Sequence, residues 1–307
     1  LKKPPLVSII TVNFNQCETT CSLLDTIQRQ GYRNIELIVV DNASVINPEQ
    51  AIHNRYPNAR FIRSERNLGF AGGNNLGIAQ ATGEYLFFIN NDTELTYYCI
   101  DRLVSFCTQH DNCGAVSPLI CYYNETPGET DIIQYAGMTL VSPHTARNTI
   151  IGERQSDAGQ FLLAKPTAYT HGAAMMVPRA VVDQVGYMPE EYFLYYEELD
   201  WCEQMRRAGY TIWVEPTARI YHKESLTVSK MGALKTYFMV RNRILFVKRN
   251  YPRHRWLFYF YLWWIVAPKS VLLFALKGET ENIAATWKAL MWFFTGTTNK
   301  YEVMSDE

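Results

Sequence analysis

Tyr85–Ile89, read Tyr-Leu-Phe-Phe-Ile, is an unbroken apolar run of strand length, with Gly83 just before it and Asn90, Asn91 and Asp92 directly after it. A run so short, rich in aromatic and branched residues and without alternation, reads as a strand buried on both faces, the environment of a parallel sheet covered by helices. Residues 7–12 and 35–40 are runs of the same kind. Between them Leu23, Leu24 and Ile27 recur at helical spacing, and Gly31 ends that helix. Strand, helix and strand within about 35 residues make a βαβ unit, so the first two strands are expected to be parallel.

A short third strand at residues 60–63 leads into a polar, glycine-rich loop, residues 65–75, and a helix that ends near Gly83. Residues 7–92 therefore predict the nucleotide-binding half of an α/β, Rossmann-like three-layer sandwich on a mostly parallel mixed sheet. The polar residues that follow each strand gather at one edge, where open α/β sheets bind ligands. Asp92 there would meet a hard cation and a phosphate, although an Asp after a strand is also an ordinary turn former. Asp41 is placed to accept from a pyrimidine N–H or a ribose hydroxyl, or else to cap the turn that follows Ser44. A dinucleotide site needs glycines directly after the first strand, and Asn13-Phe14-Asn15-Gln16 has none, which argues against a nicotinamide enzyme.

Farther along, residues 121–165 are irregular and rich in Thr, Gly and Pro, as expected of hairpins or an inserted loop that shapes a second substrate's pocket. Order returns with a strand at 171–177, a helix from Arg179, a second helix running from the Glu197-Glu198-Leu199-Asp200 segment to Gly209, and two short extended runs at 211–215 and 218–221 that end at His222. The 307-residue chain has a formal net charge of -1, but this conceals an asymmetry. Eight of the 29 basic residues fall within residues 230–255 with no acid among them, leaving 21 against 30 acidic residues elsewhere. An acidic body of this kind is not expected to bind nucleic acid. Seven cysteines, an odd number without a Cys-x-x-Cys pair, suit a reducing compartment, and residues 1–5 lack a signal-peptide layout.

Seven segments in order, Thr11-Val12-Asn13, Asp41-Asn42-Ala43-Ser44, Asn67-Leu68-Gly69-Phe70, Asn90-Asn91-Asp92, His171-Gly172-Ala173, Glu197-Glu198-Leu199-Asp200 and His222, together resemble the family 2 glycosyltransferases. Within that family they are similar to the bacterial rhamnosyltransferase-like branch, which builds cell-surface polysaccharide. The resemblance covers residues 6–228 and implies a GT-A fold, an inverting transfer from a nucleotide-diphosphate sugar (dTDP-rhamnose or a UDP-sugar) to a saccharide acceptor, and a divalent cation, Mn2+ or Mg2+. It implies a catalytic domain at 1–229, with a nucleotide half at about 6–95 and an acceptor half at about 96–229.

By that resemblance Asp41 recognises the base. Thr11, Asn13, Ser44, Arg66, Asn67, Gly69, Asn75, Asn91, Gly172 and Ala173 line the nucleotide and its sugar. Asp92 and His222 hold the metal, with Asn90 standing where the family's motif has its first carboxylate. Glu198 is the expected base that deprotonates the acceptor hydroxyl, Asp200 is the less favoured alternative, and Glu197 and Trp201 are expected at the acceptor. The substitution at Asn90 keeps a second reading open, a catalytically inactive carbohydrate-binding or assembly subunit of a polysaccharide-synthesis complex.

Residues 230–307 form the basic and aromatic end. Residues 256–276 are long enough to cross a bilayer, but Pro268 and Lys269 interrupt the middle, so an interfacial helical pair or re-entrant segment is expected, with the basic stretch facing anionic lipid. A second apolar patch, 284–294, would lie alongside. Packing on the catalytic domain, or self-association into a homo-oligomer, remains the alternative. The expected place is the cytoplasmic face of the bacterial inner membrane, peripheral or monotopic, with a polyprenyl-linked acceptor.

Overall fold

The computed structural model describes residues 3–123, 131–223 and 232–295. Its ten strands form one mixed sheet in the order β3-β2-β1-β4-β9-β6-β10-β5, with β7 on β6 and β8 on β10. The first half is the expected one. β1 (Val7–Asn13), β2 (Ile35–Asp41), β3 (Arg60–Arg63) and β4 (Tyr85–Ile89) are parallel, joined by helices α1 (Cys17–Gln28), α2 (Glu49–Arg55) and α3 (Gly69–Gln80). Ile9, Ile10, Val39, Val40, Leu86, Phe87 and Phe88 are all fully enclosed, each such side chain contributing about 1.5–3 kcal/mol when it leaves water.

In the second half, β5 (Thr93–Leu95) and α4 (Cys99–Gln109) lead to β6 (Cys113–Tyr122). The irregular stretch contributes only β7 (Ile133–Tyr135), β8 (Lys165–Thr167) and isolated bridges such as Met138 to Ile150. β9 (Ala174–Pro178) enters antiparallel between β4 and β6. The strand expected at 171–177 therefore starts late, because His171 to Ala173 make the turn that delivers the chain to it. After α5 (Arg179–Val185) and α6 (Glu197–Arg207), the two short runs expected at 211–221 join into one strand, β10 (Thr211–His222), whose register slips against β6 between Glu215 and Arg219. That irregularity is why the run reads as broken in sequence.

Helix α3 forms despite its composition. Four of its twelve residues are glycine, each costing about 1 kcal/mol against alanine in a helix, so packing must hold it. A Cβ on Gly73 would come 2.9 Å from Val12 Cγ1, and one on Gly77 would overlap Ile10 Cγ2, so the helix lies almost flush on β1. At these two positions the glycine-rich stretch is thus a packing surface.

The C-terminal end is helical: α7 (Gly232–Asn250), α8 (Arg255–Tyr261), α9 (Ala267–Lys277) and α10 (Thr280–Thr295). Pro268 does not split the apolar segment into two helices. A π turn, Leu262–Val266, joins α8 to α9 just before the proline, at the first turn of α9, where a missing N–H is tolerated. The joined helix, Arg255–Lys277, is the one helix among the described residues long and apolar enough to cross a membrane. Phe258, Tyr259 and Leu262 are buried and Tyr259 packs edge-on to Phe293 of α10, while Trp256, Phe260 and Trp264 form an exposed stripe. Lys230 lies outside the described residues.

Gly77→Ala tests the close packing of α3 on β1. Better helix propensity alone would stabilise by about 1 kcal/mol, whereas overpacking costs about 1–3 kcal/mol. We expect a net loss, read as a lower urea midpoint; an equal or higher midpoint would show that the helix can move away without cost.

Candidate active site

The carboxyl ends of the parallel strands are tied together by a buried chain of side chains. Asn91 Nδ2 donates to Thr20 Oγ1 (3.0 Å), Thr20 Oγ1 to Asn13 Oδ1 (2.8 Å), and Asn13 Nδ2 to Asp41 Oδ1 (2.8 Å) and Ser44 Oγ (3.0 Å). Ser44 closes the chain with its hydroxyl on Asp41 Oδ1 (2.5 Å) and its N–H on Asp41 Oδ2 (3.1 Å). Asn13 and Asp41 have no exposed surface, and Arg63 Nε lies 3.8 Å from the Asp41 carboxylate. Of the two readings of Asp41, these contacts show the local one, since it fixes its own turn through Ser44.

The loop after β3 is held in the same way. Asn42 accepts from Leu68 N–H (2.9 Å) and donates to Asn67 Oδ1 (2.8 Å) and Gly69 O (3.0 Å), while Asn67 Oδ1 also takes Gly69 N–H. Gly69 has φ +72°, and a Cβ there would overlap the Phe193 carbonyl that receives Phe70 N–H at 2.7 Å. Arg66 is exposed beside this turn, with its N–H on Ser64 Oγ.

On the other side of the cleft, His222 Nε2 is 3.1 Å from Asp92 Oδ1, and His222 Nδ1 is 2.8 Å from Gln134 Oε1. The Gln134 side-chain oxygen holds Nδ1, which leaves Nε2 as the ring nitrogen turned toward Asp92. Two electron donors so placed match adjacent ligands of one octahedral ion, which lie about 3 Å apart when metal–oxygen bonds are about 2.1 Å. The donor set therefore fits a divalent cation completed by phosphate oxygens. No group of three or more His, Cys, Asp or Glu surrounds a common point among the described residues. His171 lies next to this pair, its ring centroid 6.1 Å from that of His222. Burial first, then His222, lowers its pKa to about 3, so the ring is neutral, with Nδ1 accepting from Ala173 N–H.

Glu198 completes the site. A Cβ placed on Gly172 would be 3.9 Å from the Glu198 carboxyl and 3.8 Å from the Phe70 ring, so the absence of a side chain at 172 leaves the space between them open. Burial raises the Glu198 pKa to about 7. Its neighbour Glu197 is pushed well above the carboxylate range by burial first and then by Glu198, which leaves Glu198 as the member that titrates near neutrality.

Several expected contacts are withdrawn from the cleft. Trp201 has no exposed surface, packs edge-on to Phe88 and donates Nε1–H to Gly186 O, so it cannot stack on an acceptor. Asn75 spends its amide on Met188 and Glu190. Thr11 is enclosed in β1, and Ala173 is enclosed with its carbonyl on Asn90 N–H. Asp200 is bonded to Asn250 Nδ2 (2.7 Å) and Arg249 Nε (2.8 Å), joining α6 to α7, and Glu197 is buried beneath the site. Glu198 therefore stands without Asp200 as a rival base. Sequence reasoning missed Gln134, Thr20 and Phe193; only Thr20 carried a signal, as a polar residue on the buried face of α1.

A nucleotide-half sheet carrying this cleft at its strand ends has the build of a GT-A glycosyltransferase. The family model for glycosyl transferase family 2 matches residues 8–186, and the chain belongs to that family. It is 28% identical over 247 residues to the low-salt glycan biosynthesis hexosyltransferase Agl10 of Haloferax volcanii, covering 78% of this chain and 74% of that one. It is 24% identical over 212 residues to an N-acetylglucosaminyl-diphospho-decaprenol L-rhamnosyltransferase of Mycobacterium tuberculosis, covering 63% and 68%, as the rhamnosyltransferase-like motifs implied. The mannosyltransferase PcManGT of Pyrobaculum calidifontis, solved with GDP-Man and Mn2+, superposes with a TM-score of 0.57 at 15% identity, over 95% of this chain and 88% of that one.

The raised Glu198 pKa gives a pH dependence. A base works deprotonated, so kcat/KM should fall about tenfold per pH unit below pH 7 and level off above it. A profile flat from pH 5.5 to 8 would remove Glu198 from that role.

Proposed function

We propose that the protein is an inverting, metal-dependent glycosyltransferase that moves a sugar from a nucleoside-diphosphate donor, dTDP-rhamnose or a UDP-sugar, to a lipid-linked saccharide in cell-surface polysaccharide synthesis. The observation that carries this reading is the Glu198 carboxyl, with a pKa of about 7, held beside the open space at Gly172. Support also comes from the relative named as acting on a diphospho-decaprenol-linked sugar and from the neighbour solved with a sugar nucleotide and Mn2+.

In the reaction, the acceptor oxygen forms a bond to the anomeric carbon while the bond from that carbon to the diphosphate oxygen breaks. The acceptor proton passes to Glu198, and the nucleoside diphosphate leaves with the electron pair. A divalent cation, when bound, offsets the charge of the departing diphosphate. Asp92 and His222 would hold it, and Gln134 fixes the ring of His222. Arg66 and the turn at Asn67 and Gly69 would border the nucleotide, with Asp41, Asn13 and Ser44 as the rigid wall beneath it. Gly172 would leave room for the donor sugar.

The exposed stripe Trp256, Phe260 and Trp264 supports docking of α8 and α9 on the cytoplasmic membrane surface, where amphipathic aromatic rings settle at headgroup level. A lipid-linked acceptor would then reach the cleft without leaving the bilayer.

Two measurements test this reading. In a screen of nucleotide sugars read by released nucleoside diphosphate, turnover should require Mn2+ or Mg2+, fall at least about 100-fold in Glu198→Gln with donor binding kept, and be lost in Asp92→Ala. Absent turnover would favour the binding-subunit reading that Asn90 allows, and metal-independent turnover would remove the cation from the mechanism. In a separate assay, the Trp256→Glu/Trp264→Glu double variant should stop cosedimenting with phosphatidylglycerol vesicles that bind the parent protein. Equal sedimentation of both would remove the docking surface.

A further inference from the structure

The chain just before α6 turns three times into the left-handed region, at Phe193 (φ 64°), Tyr195 (φ 70°) and Tyr196 (φ 76°). None of these is glycine, and such backbone persists only where its surroundings over-determine it. Its carbonyls need partners from other elements. Phe193 O is met by Phe70 N–H of the nucleotide loop at 2.7 Å. The other partners come from two adjacent residues of α7. Asn242 Nδ2 lies 3.0 Å from Tyr192 O, 2.7 Å from Leu194 O and 2.8 Å from Tyr195 O. Arg241 gives Nη1 to Tyr192 O (3.1 Å) and to Asn242 Oδ1 (3.0 Å), and Nη2 to Glu191 O.

The pair is itself held from behind. The Arg241 guanidinium carbon is 5.5 Å from the centre of the Phe238 ring and 5.2 Å from that of Trp292, and Phe238 stacks on Phe193 at 5.1 Å and 16°. Arg241 is 1% exposed and Asn242 wholly enclosed, so neither can touch a substrate. Both act on the backbone that runs directly into Glu197 and Glu198.

We propose that Arg241 and Asn242 are positioning residues for glycosyl transfer, holding the left-handed turn so that the first turn of α6 presents the Glu198 carboxyl beside Gly172. This rests on the reading of Glu198 as the base. Releasing even part of the clamp lets the turn relax toward ordinary backbone, and α6 moves with it. A displacement of about 1 Å at the carboxyl costs on the order of 100-fold in rate. The nucleotide loop keeps its own bonds to Asn42, so donor affinity is spared.

The test compares Asn242→Ala and Arg241→Lys in the parent protein and in the Glu198→Gln background, with steady-state kinetics at saturating acceptor. Each variant should lower kcat about 10- to 100-fold, with donor KM changed less than about threefold. Neither should lower the residual kcat of Glu198→Gln further, because a clamp that works only through Glu198 has nothing left to position. Arg241→Lys keeps the charge between Phe238 and Trp292 but cannot fork to two carbonyls, so it serves if Asn242→Ala does not fold. An unchanged kcat beside a lowered melting temperature overturns the proposal, as does an equal loss in both backgrounds. Parent-like turnover in Glu198→Gln alone is a separate result and overturns the base reading itself.

Discussion

A buried amide must find a partner, and the run of polar side chains from Asn91 through Thr20 and Asn13 to Asp41 and Ser44 meets that demand where three of the parallel strands end. Each member is fixed by the next, so the ends of β1, β2 and β4 cannot shift independently. Removing one would leave its neighbours desolvated and unbonded, which costs about 1–3 kcal/mol per group. The cleft is rigid on this side because its floor is a satisfied network.

The opposite wall is built by a different solution. Backbone in the left-handed region stores of order 1–3 kcal/mol per non-glycine residue, and Phe193, Tyr195 and Tyr196 bring three such residues together. Their cost is offset by bonds from α3 on one side and α7 on the other. The start of α3, the helix that carries Glu198 and the C-terminal helices therefore meet on a stretch of five residues.

How much of this could be read in advance follows from the range of each interaction. Strands β1 to β4 were legible because burial on both faces leaves a continuous apolar run, and α1 because Leu23, Leu24 and Ile27 share one face. The order of motifs also named residues that the fold brings together, Asp92 beside His222 and Gly172 beside Glu198. Trp201 and Asn75 were misplaced because local sequence does not reveal whether a side chain faces the cleft or the core beneath it. Arg241 and Asn242 were illegible for a sharper reason. Both lie in a stretch whose charge suggests a lipid surface, and only tertiary contact shows that they face inward, toward carbonyls with no sequence signature.

That inward turn revises the electrostatics of the basic segment. Arg241 points at the turn before α6, Arg243 Nε reaches Tyr196 OH and Arg249 pairs with Asp200 and Glu191. Lys235, Lys248, Arg253 and Arg255 remain exposed to meet an anionic surface. At about 1 kcal/mol per basic residue near charged lipid, four such residues bind only transiently, and a screening length of about 8 Å confines their pull to the immediate surface. Under the proposed docking, the aromatic stripe would supply the rest of the membrane affinity, while the acidic body would be repelled from the same lipid. Attraction at one end and repulsion over the remainder would then set an orientation as well as an affinity, with the basic, aromatic end turned toward the bilayer.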